Sequence, residues 1–170
     1  DVPALDADAD RLKRADETLA RLHLQGRTRA TDARDTAAWW DGQPFDAILL
    51  DAPCSASGIV RRHPDVRWLR RASDITELAR TQTGLLEALW PLLKPGGRLL
   101  YATCSIFRAE GAGQISSFLQ RHPEARALRA PGHLLPLPDN RVEAAGATSS
   151  PAAGSGDGFF YALLHKSPAS

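Results

Sequence analysis

The two cysteines of this chain each follow an apolar run that is typical of a β-strand. The run at residues 45–51 leads through Ala-Pro to Cys54, and the run at residues 98–103 leads directly to Cys104. In an open parallel sheet the carboxyl ends of the strands share one edge, and reactive groups gather there. The sequence therefore predicts two thiols that converge on one site, where a thiolate could act as a nucleophile.

A free cysteine is more often a small buried hydrophobe than a reactive group. Here the matched placement of Cys54 and Cys104 after two strands, beside Pro, Ser and Thr, favours the reactive interpretation. A thiolate is populated at neutral pH where positive charge or a helix terminus lowers the pKa of the thiol. Arg61, Arg62 and His63 follow Cys54 in the same loop and are the candidates to supply that charge. Spacing alone leaves open which sulfur attacks.

Three aspartates lie at or just beyond the ends of three apolar segments: the short start at residues 2–5, the strand predicted at 28–33 and the strand at 45–50. They are Asp6, Asp32 and Asp51. In open α/β sheets a nucleotide-like ligand binds at this edge, where a carboxylate accepts hydrogen bonds from ribose hydroxyls. Aspartate is also common in turns and helix caps, so each residue alone is weak evidence. The three in one register favour a ligand site.

The loop from residue 58 to residue 71 combines five arginines with one histidine and one tryptophan. Arginine beside an aromatic ring is the composition that binds phosphate and stacks on bases. Such a run is often only a solvated surface loop, but this one adjoins Cys54. We therefore expect contact with nucleic acid through Arg61, Arg62, His63 and Arg67.

Length and composition indicate one ordinary globular domain. The chain has 170 residues, a net charge of +1 and a hydrophobic fraction of 43%, and it therefore generates no strong overall field. It contains no apolar stretch long enough to span a bilayer and no leader for export, so we expect no membrane partner. Free cysteines are typical of the reducing cytoplasm, which is the predicted location.

The apolar periodicity alternates between strands and helices. A helix is predicted from Asp8, which would serve as its N-cap, and the apolar run at 45–50 predicts a strand buried on both faces. The other predictions are a strand at 28–33, a helix from Ser73 to about Leu93, a turn at 94–97, a strand at 98–103, a helix at 113–121, a mobile loop at about 130–157 and a final strand at 158–164. This order is that of a doubly wound α/β fold.

Three segments resemble motifs of the RNA cytosine-C5 methyltransferases. They are residues 51–65, the Thr-Cys-Ser sequence at residues 103–105, and residues 156–162. The first and last are most similar to the bacterial 16S ribosomal RNA branch, the RsmB or Sun type. The resemblance implies a Rossmann-like sheet, S-adenosylmethionine as methyl donor, and 16S ribosomal RNA, naked or in early assembly, as substrate. It covers nearly the whole chain, so residues 1–170 are expected to form a single, partial catalytic domain.

The resemblance also implies a role for each candidate residue. Cys104 would attack C6 of a cytosine, and Cys54 would assist product release through proton removal or the elimination step. Asp51 would contact the methionine end of the cofactor or the cytosine, while Asp6 would hold the cofactor ribose and Asp32 the adenine. No metal is expected. In the DNA cytosine methyltransferases, however, the cysteine after proline is the nucleophile, so the choice between the thiols rests on the RNA family.

Two features depart from the family pattern. Residues 108–111 read Arg-Ala-Glu-Gly where the family has Pro-Glu-Glu-Asn, so Glu110 is kept and the asparagine is replaced. The glycine-rich cofactor loop and its strand are expected before residue 1, and without that strand two sheet edges would lack partners. For the sheet we therefore expect a rearrangement, pairing with another copy of the chain through these edges, or a marginal fold. Without the cofactor loop we expect a weakly active or inactive fragment. The alternative is a non-catalytic RNA-binding module that keeps the arginine loop.

Overall fold

The computed structural model describes residues 2–136 and 156–168 of the chain. The chain divides into two compact units, Asp1–Gln43 and Pro44–Ser170. Both units combine strands with helices, so the predicted α/β class is confirmed. Across the described residues, no helix is long and apolar enough to cross a membrane.

The first unit consists of two short parallel strands and two helices. Its elements are β1 (Pro3–Asp6), α1 (Ala9–Arg21), β2 (Arg27–Ala30) and α2 (Thr36–Trp39). The side chain of Asp8 accepts hydrogen bonds from the backbone N–H groups of Asp10 and Arg11, so the predicted N-cap of α1 is confirmed. Because β1 and β2 are parallel, their carboxyl ends lie on one edge of this small sheet.

The second unit is built on a four-stranded mixed sheet. Its elements are β3 (Phe45–Asp51), α3 (Val66–Leu69), α4 (Ala72–Leu89), β4 (Leu93–Thr103), α5 (Ala112–Arg121), β5 (Ala125–Leu134) and β6 (Phe159–Lys166). The strand order is β3-β4-β6-β5, with β4 parallel to β3 and β6 antiparallel to both its neighbours. Since β3 and β4 are parallel neighbours, the segments that follow them emerge on the same edge.

The core of the second unit is formed by β4, β6 and the buried faces of α4 and α5. Its largest fully buried side chains are Trp90, Tyr101, Phe118, Leu86, Leu93, Leu99 and Leu164. Trp90 meets Phe118 edge-on with ring centroids 5.2 Å apart, and this contact joins the end of α4 to α5. The core therefore holds β4 rigidly and with it the start of the segment that carries Cys104.

The predicted burial of the 45–50 strand on both faces is wrong. Only Leu50 is buried, and Leu49 is 69% exposed. Within the described residues β3 is the end strand of its sheet and pairs only with β4. The apolar run therefore indicated the strand correctly, but it did not indicate how much of the strand is buried.

The predicted loop at 130–157 begins too early. The structure continues β5 through Leu134, where it pairs with β6 at Phe159. The pairing register shifts between Leu128 and Gly132, and Gly132 has a φ of 71°. This irregularity interrupts the alternation that marks a strand, which explains why the sequence predicted a loop. Residues 137–155 of the predicted loop lie outside the described residues.

Two further boundaries differ from the predictions. The helix predicted from Ser73 begins one residue earlier, at Ala72, with Arg71 as its N-cap. The Asp74 carboxylate accepts a hydrogen bond from the backbone N–H of Arg71 and so fixes this start. It ends as an α-helix at Leu89, two residues before Pro91, and continues as a short 3-10 helix. The turn predicted at 94–97 is instead an irregular stretch of β4.

Candidate active site

The two cysteine sulfurs lie side by side at the carboxyl edge of the second sheet. Cys54 follows β3 and Cys104 follows β4, and their Sγ atoms are 3.2 Å apart. The ladder between the two strands continues past β3, since the backbone N–H of Ala52 donates to the carbonyl oxygen of Ala102. Both thiols are free and half-buried. The prediction that they converge on one site is confirmed.

The pKa values of the two thiols are shifted in opposite directions. A hydrogen bond from Cys54 lowers the pKa of Cys104 to about 7, whereas the same contact, together with burial, raises the pKa of Cys54 far above its ordinary value. The negative charge of Asp51 opposes this effect at Cys104. Near neutral pH these shifts favour a thiolate on Cys104 over one on Cys54.

The predicted source of thiolate activation is wrong. Arg61, Arg62 and His63 were expected to lower the thiol pKa by their charge, but none of them is among the groups that shift Cys104. Arg61 and Arg62 instead face Asp157, with Nε–carboxylate distances of 3.7 Å and 2.6 Å. Sequence proximity to Cys54 was a poor guide because the loop directs these side chains to another partner.

A fully buried carboxylate joins the two cysteine segments. Glu110 accepts a hydrogen bond from the backbone N–H of Ser55 at 2.8 Å through Oε1. Its Oε2 accepts from the hydroxyls of Ser55 and Ser105, each at 2.6 Å. Each serine directly follows a cysteine in the sequence. Glu110 therefore fixes the segments carrying Cys54 and Cys104 relative to each other.

Two neighbours of Glu110 complete this arrangement. Gln82 of α4 donates from Nε2 to the carbonyl oxygen of Pro53 at 2.9 Å and to Glu110 Oε1 at 3.3 Å. The hydroxyl of Tyr101 donates to the backbone carbonyl of Glu110 at 2.8 Å. Sequence reasoning noted Glu110 but assigned it no task, and it missed Gln82 and Tyr101. The available signal was the Cys-Ser sequence that follows each strand, since a buried serine hydroxyl requires a hydrogen-bond partner.

Gly58 allows three segments to approach one another. Its backbone N–H donates to the carbonyl oxygen of Cys104 at 2.9 Å, and its own carbonyl accepts from the N–H of Gly158 at 2.7 Å. A Cβ atom at Gly58 would collide with the carbonyl group of Gly158. The loop after Cys54 is therefore held between the Cys104 segment and the start of β6.

The arginine loop is attached to the thiol site at its far end. The Nε of Arg70 donates to the carbonyl oxygen of Ser55 at 3.0 Å. Arg61 and Arg62 keep more than half of their side-chain surface exposed, 61% and 55%, despite their pairing with Asp157. His63 and Arg67 are exposed as well. The candidate RNA-binding residues thus share one solvent-facing loop beside the thiols.

Asp51, the last residue of β3, lies close enough to Cys104 for its charge to raise the pKa of that thiol. The carboxyl group loses part of its hydration in this position, which raises the pKa of Asp51 itself. Of the three predicted cofactor-binding aspartates, Asp51 alone belongs to the same compact unit as the thiols.

Asp6 and Asp32 lie at the carboxyl ends of the two strands of the first unit. Asp6 forms a bidentate ion pair with Arg11 at 2.7 Å and 2.9 Å, and Asp32 pairs with Arg34 at 2.6 Å. The arginine hydrogen bonds hold the pKa of both carboxyls below the ordinary value. Ionised carboxylates at this edge fit the hydroxyl and amino groups of a nucleoside, so the residues present are compatible with a nucleotide-like cofactor.

Comparison with protein families gives a match over nearly the whole chain. The sequence profile of the family described as 16S rRNA methyltransferase RsmB/F matches residues 1–165. Ribosomal RNA small subunit methyltransferase B of Vibrio vulnificus is 49% identical over 98% of this chain and 37% of its own length. The protein of the same name from Salmonella arizonae is 51% identical with the same coverage. The chain thus spans little more than a third of the length of these curated relatives.

Solved structures show the same fold. The protein PH0851 superposes with a TM-score of 0.79 and 34% identity, covering 96% of this chain and 36% of its own. NSun6 from Pyrococcus horikoshii, solved with SFG, gives a TM-score of 0.73 and 26% identity over 98% of this chain and 41% of its own. The fold is therefore the Rossmann-like fold of S-adenosylmethionine-dependent RNA methyltransferases. With the family profile and about half of the residues shared, the chain belongs to the 16S rRNA methyltransferase RsmB/F family.

Proposed function

We propose that this chain is catalytic sequence of an S-adenosylmethionine-dependent enzyme that methylates C5 of a cytosine in 16S ribosomal RNA. The names of the relatives support the RNA substrate, and SFG, a cofactor analogue, supports the methyl donor. One observation carries the cytosine-C5 chemistry: two free sulfurs lie 3.2 Å apart at the edge of the sheet.

The chemistry explains why a thiolate is required. Cytosine C5 is a weak nucleophile, and attack of the Cys104 thiolate on C6 forms an S–C6 bond that moves an electron pair onto C5. S-adenosylmethionine, when bound, would supply the methyl group that C5 takes up; the bond between the methyl group and the sulfonium sulfur would break, and its electron pair would stay on that sulfur. A base then removes the proton from C5, and the electrons of that bond expel the sulfur from C6 and restore the aromatic ring. Cys104 leaves as a thiolate and is ready for another cycle.

The proposed task of Cys54 is to assist this release. The two sulfurs lie within hydrogen-bond distance, and the lowered pKa of Cys104 beside the raised pKa of Cys54 favours Cys54 as the donor. The donor that stabilises the attacking thiolate also stabilises the departing thiolate, because expulsion is the reverse of attack at the same sulfur. This argument favours assistance in the elimination step over removal of the C5 proton.

The remaining candidate residues bind the cofactor or the RNA. Asp51 contacts the methionine end of the cofactor or the cytosine, and Asp6 and Asp32 hold the ribose and the adenine. Arg61 and Arg62 belong to the exposed loop that contacts the RNA backbone. The target base must leave its stack to reach the half-buried thiols. The proposed substrate is naked or early-assembly RNA. The proposed location of this reaction is the cytoplasm.

The test compares single substitutions in the full-length protein that contains this chain, with S-adenosylmethionine and naked 16S ribosomal RNA. Cys104→Ala should lower methyl transfer by at least about a thousandfold, because the nucleophile is lost. RNA affinity should stay within about twofold, because no contact to phosphate is removed. Arg62→Ala should weaken RNA binding and keep methyl transfer at saturating RNA. Undiminished methyl transfer by Cys104→Ala would reject the thiol mechanism. If the wild-type protein binds the RNA tightly but does not methylate it, the non-catalytic RNA-binding module is favoured.

A further inference from the structure

Trp68 is unusual because a large aromatic ring stands in solvent. It lies on α3, and its relative exposure is 80%, with the adjacent Leu69 at 67%. Buried tryptophan is the rule, as Trp90 at 2% illustrates in the same chain. The guanidinium carbon of Arg67 lies 5.3 Å from the centroid of the Trp68 ring, within the range of a cation–π contact. The Arg67 guanidinium therefore lies over one face of the Trp68 ring, and the ring as a whole remains largely exposed.

The segment that carries Trp68 is anchored by contacts on both sides of α3 in the sequence. Before α3, Arg62 pairs with the nearly buried Asp157, and after it Arg70 donates to the carbonyl of Ser55. Backbone hydrogen bonds close the turn itself, from the N–H groups of Trp68 and Leu69 to the carbonyl oxygen of Asp65. The ring is thus exposed on an ordered support that is tied to the residue following Cys54.

The charges around Trp68 indicate a polyanion. Residues 58–71 contain five arginines and one acidic residue, Asp65. An exposed aromatic ring among arginines is the combination that stacks bases while cations contact the phosphates, and it is sequence-tolerant because every base has a π-face. A protein partner would suit the apolar surface of Trp68 and Leu69 but gives no reason for the arginine excess.

We propose that Trp68 and Arg67 form a stacking platform for an unpaired RNA base near the target cytosine. This inference rests on the proposed function and adds a specific contact to it. The platform binds a flanking base, and so helps to keep the strand open where the target cytosine leaves its stack. It acts through the π-face of Trp68, so it should distinguish unpaired RNA from duplex RNA.

The experiment measures affinity by fluorescence anisotropy for a short labelled single-stranded oligoribonucleotide and for the same sequence in a duplex. Trp68→Ala should weaken single-strand binding about tenfold, within the roughly 5- to 150-fold range of one stacked base. Trp68→Phe should stay within about threefold, since an aromatic face is retained. Leu69→Ala is the matched control, because it removes an exposed apolar side chain without a π-system, and it should stay within about twofold.

Salt dependence separates stacking from charge. Trp68→Ala should leave the slope of log affinity against log salt unchanged, whereas Arg62→Ala should reduce it by about 0.7, the value for one phosphate contact on a single strand. Equal losses on duplex and single strand, or wild-type affinity in Trp68→Ala, would overturn the platform. A change in self-association in Trp68→Ala with unchanged RNA affinity would assign the patch to a second copy of the chain.

Failure of the platform and failure of the proposed function give different results. If Arg62→Ala weakens RNA binding and Trp68→Ala does not, the platform is wrong and the RNA-binding loop stands. If the wild-type protein binds neither RNA, the proposed function fails with it. Thermal unfolding of Trp68→Ala should match the wild type within about 2 °C, since the ring is exposed and its loss opens no cavity.

Discussion

The central feature at the scale of single residues is an asymmetric pair of thiols. Their convergence could be predicted because both follow strands that are parallel neighbours, and Cys54 and Cys104 do meet. The cause of the low pKa at Cys104 could not be predicted. It depends on a hydrogen bond between side chains 50 positions apart, whereas the arginines nearest in sequence point to Asp157. Charge next to a thiol in the sequence does not establish charge next to it in space.

Alkylation by iodoacetamide should report the asymmetry directly. In the wild type we expect Cys104 to react first, at a rate that rises through a midpoint near pH 7, because the thiolate is the reactive form and Cys54 retains its proton. Cys54→Ala removes the hydrogen-bond donor that lowers the pKa of Cys104, so the midpoint should move upward by about one unit or more. Peptide mass spectrometry at each pH gives both site and rate. Faster labelling of Cys54, or a downward movement of the midpoint, would contradict the assignment.

Glu110→Gln tests the carboxylate that joins the two cysteine segments. Both carboxylate oxygens of Glu110 are acceptors: Oε1 accepts from the backbone N–H of Ser55, and Oε2 accepts from the hydroxyls of Ser55 and Ser105. The amide of glutamine keeps only one acceptor oxygen. We expect the free energy of unfolding to fall by about 2 kcal/mol or more, because buried donors lose their charged acceptor. Glu77→Gln, which changes an exposed carboxylate of α4, should change it by less than about 0.5 kcal/mol. Urea unfolding measures both, and equal small effects would show that Glu110 is dispensable.

At the scale of elements, the sheet brings the two cysteine segments to the same edge, and the loops after the strands set the distance between the two sulfur atoms. The strands at Phe45–Asp51 and Leu93–Thr103 bring the cysteine segments to one edge, and this could be predicted from their apolar runs. The exposure of β3 could not, since burial depends on what packs against the strand. The strand Ala125–Leu134 was missed because its bulge breaks the period of two.

Gly58→Ala should displace the loop that follows Cys54. The added methyl group meets the carbonyl of Gly158, which is backbone and cannot rotate away. We expect destabilisation by about 1–3 kcal/mol, as for other overpacked sites, together with slower methyl transfer because the loop also donates to the Cys104 carbonyl. Gly42→Ala is the space control, since nothing lies within 4 Å of its Cβ position, although its φ of 86° adds local strain. Thermal unfolding and transfer rates distinguish them; wild-type transfer by Gly58→Ala would show that the close approach is unimportant.

At the scale of the whole molecule, the chain presents sheet edges. Within the described residues, β3 ends the four-stranded sheet and carries the exposed Leu49, while β1 and β2 form a separate two-stranded sheet. Unpaired edge strands with apolar side chains are templates for pairing with another chain. Self-association through these edges, which was expected from the sequence, therefore stays a prediction, and β3 is the candidate strand.

Sedimentation velocity over a range of concentrations tests this prediction. The 170-residue chain should show a concentration-dependent increase in mass, and Leu49→Lys should reduce it, because a charge on an edge strand opposes pairing. Leu22→Lys introduces the same charge at an exposed position after α1 and should have no such effect. A chain that stays monomeric throughout, or equal effects of both substitutions, would show that β3 is not the associating edge.

The most direct test of the account is to identify the sulfur that becomes joined to RNA. The full-length protein is incubated with S-adenosylmethionine and 16S ribosomal RNA containing 5-fluorocytosine, whose C5–F bond prevents loss of a proton and so preserves the adduct. Mass spectrometry of the digested complex should find a nucleotide on Cys104 in the wild type and in Cys54→Ala, and none in Cys104→Ala. A nucleotide attached to Cys54, or no attachment while unmodified RNA is methylated normally, would contradict the proposed mechanism.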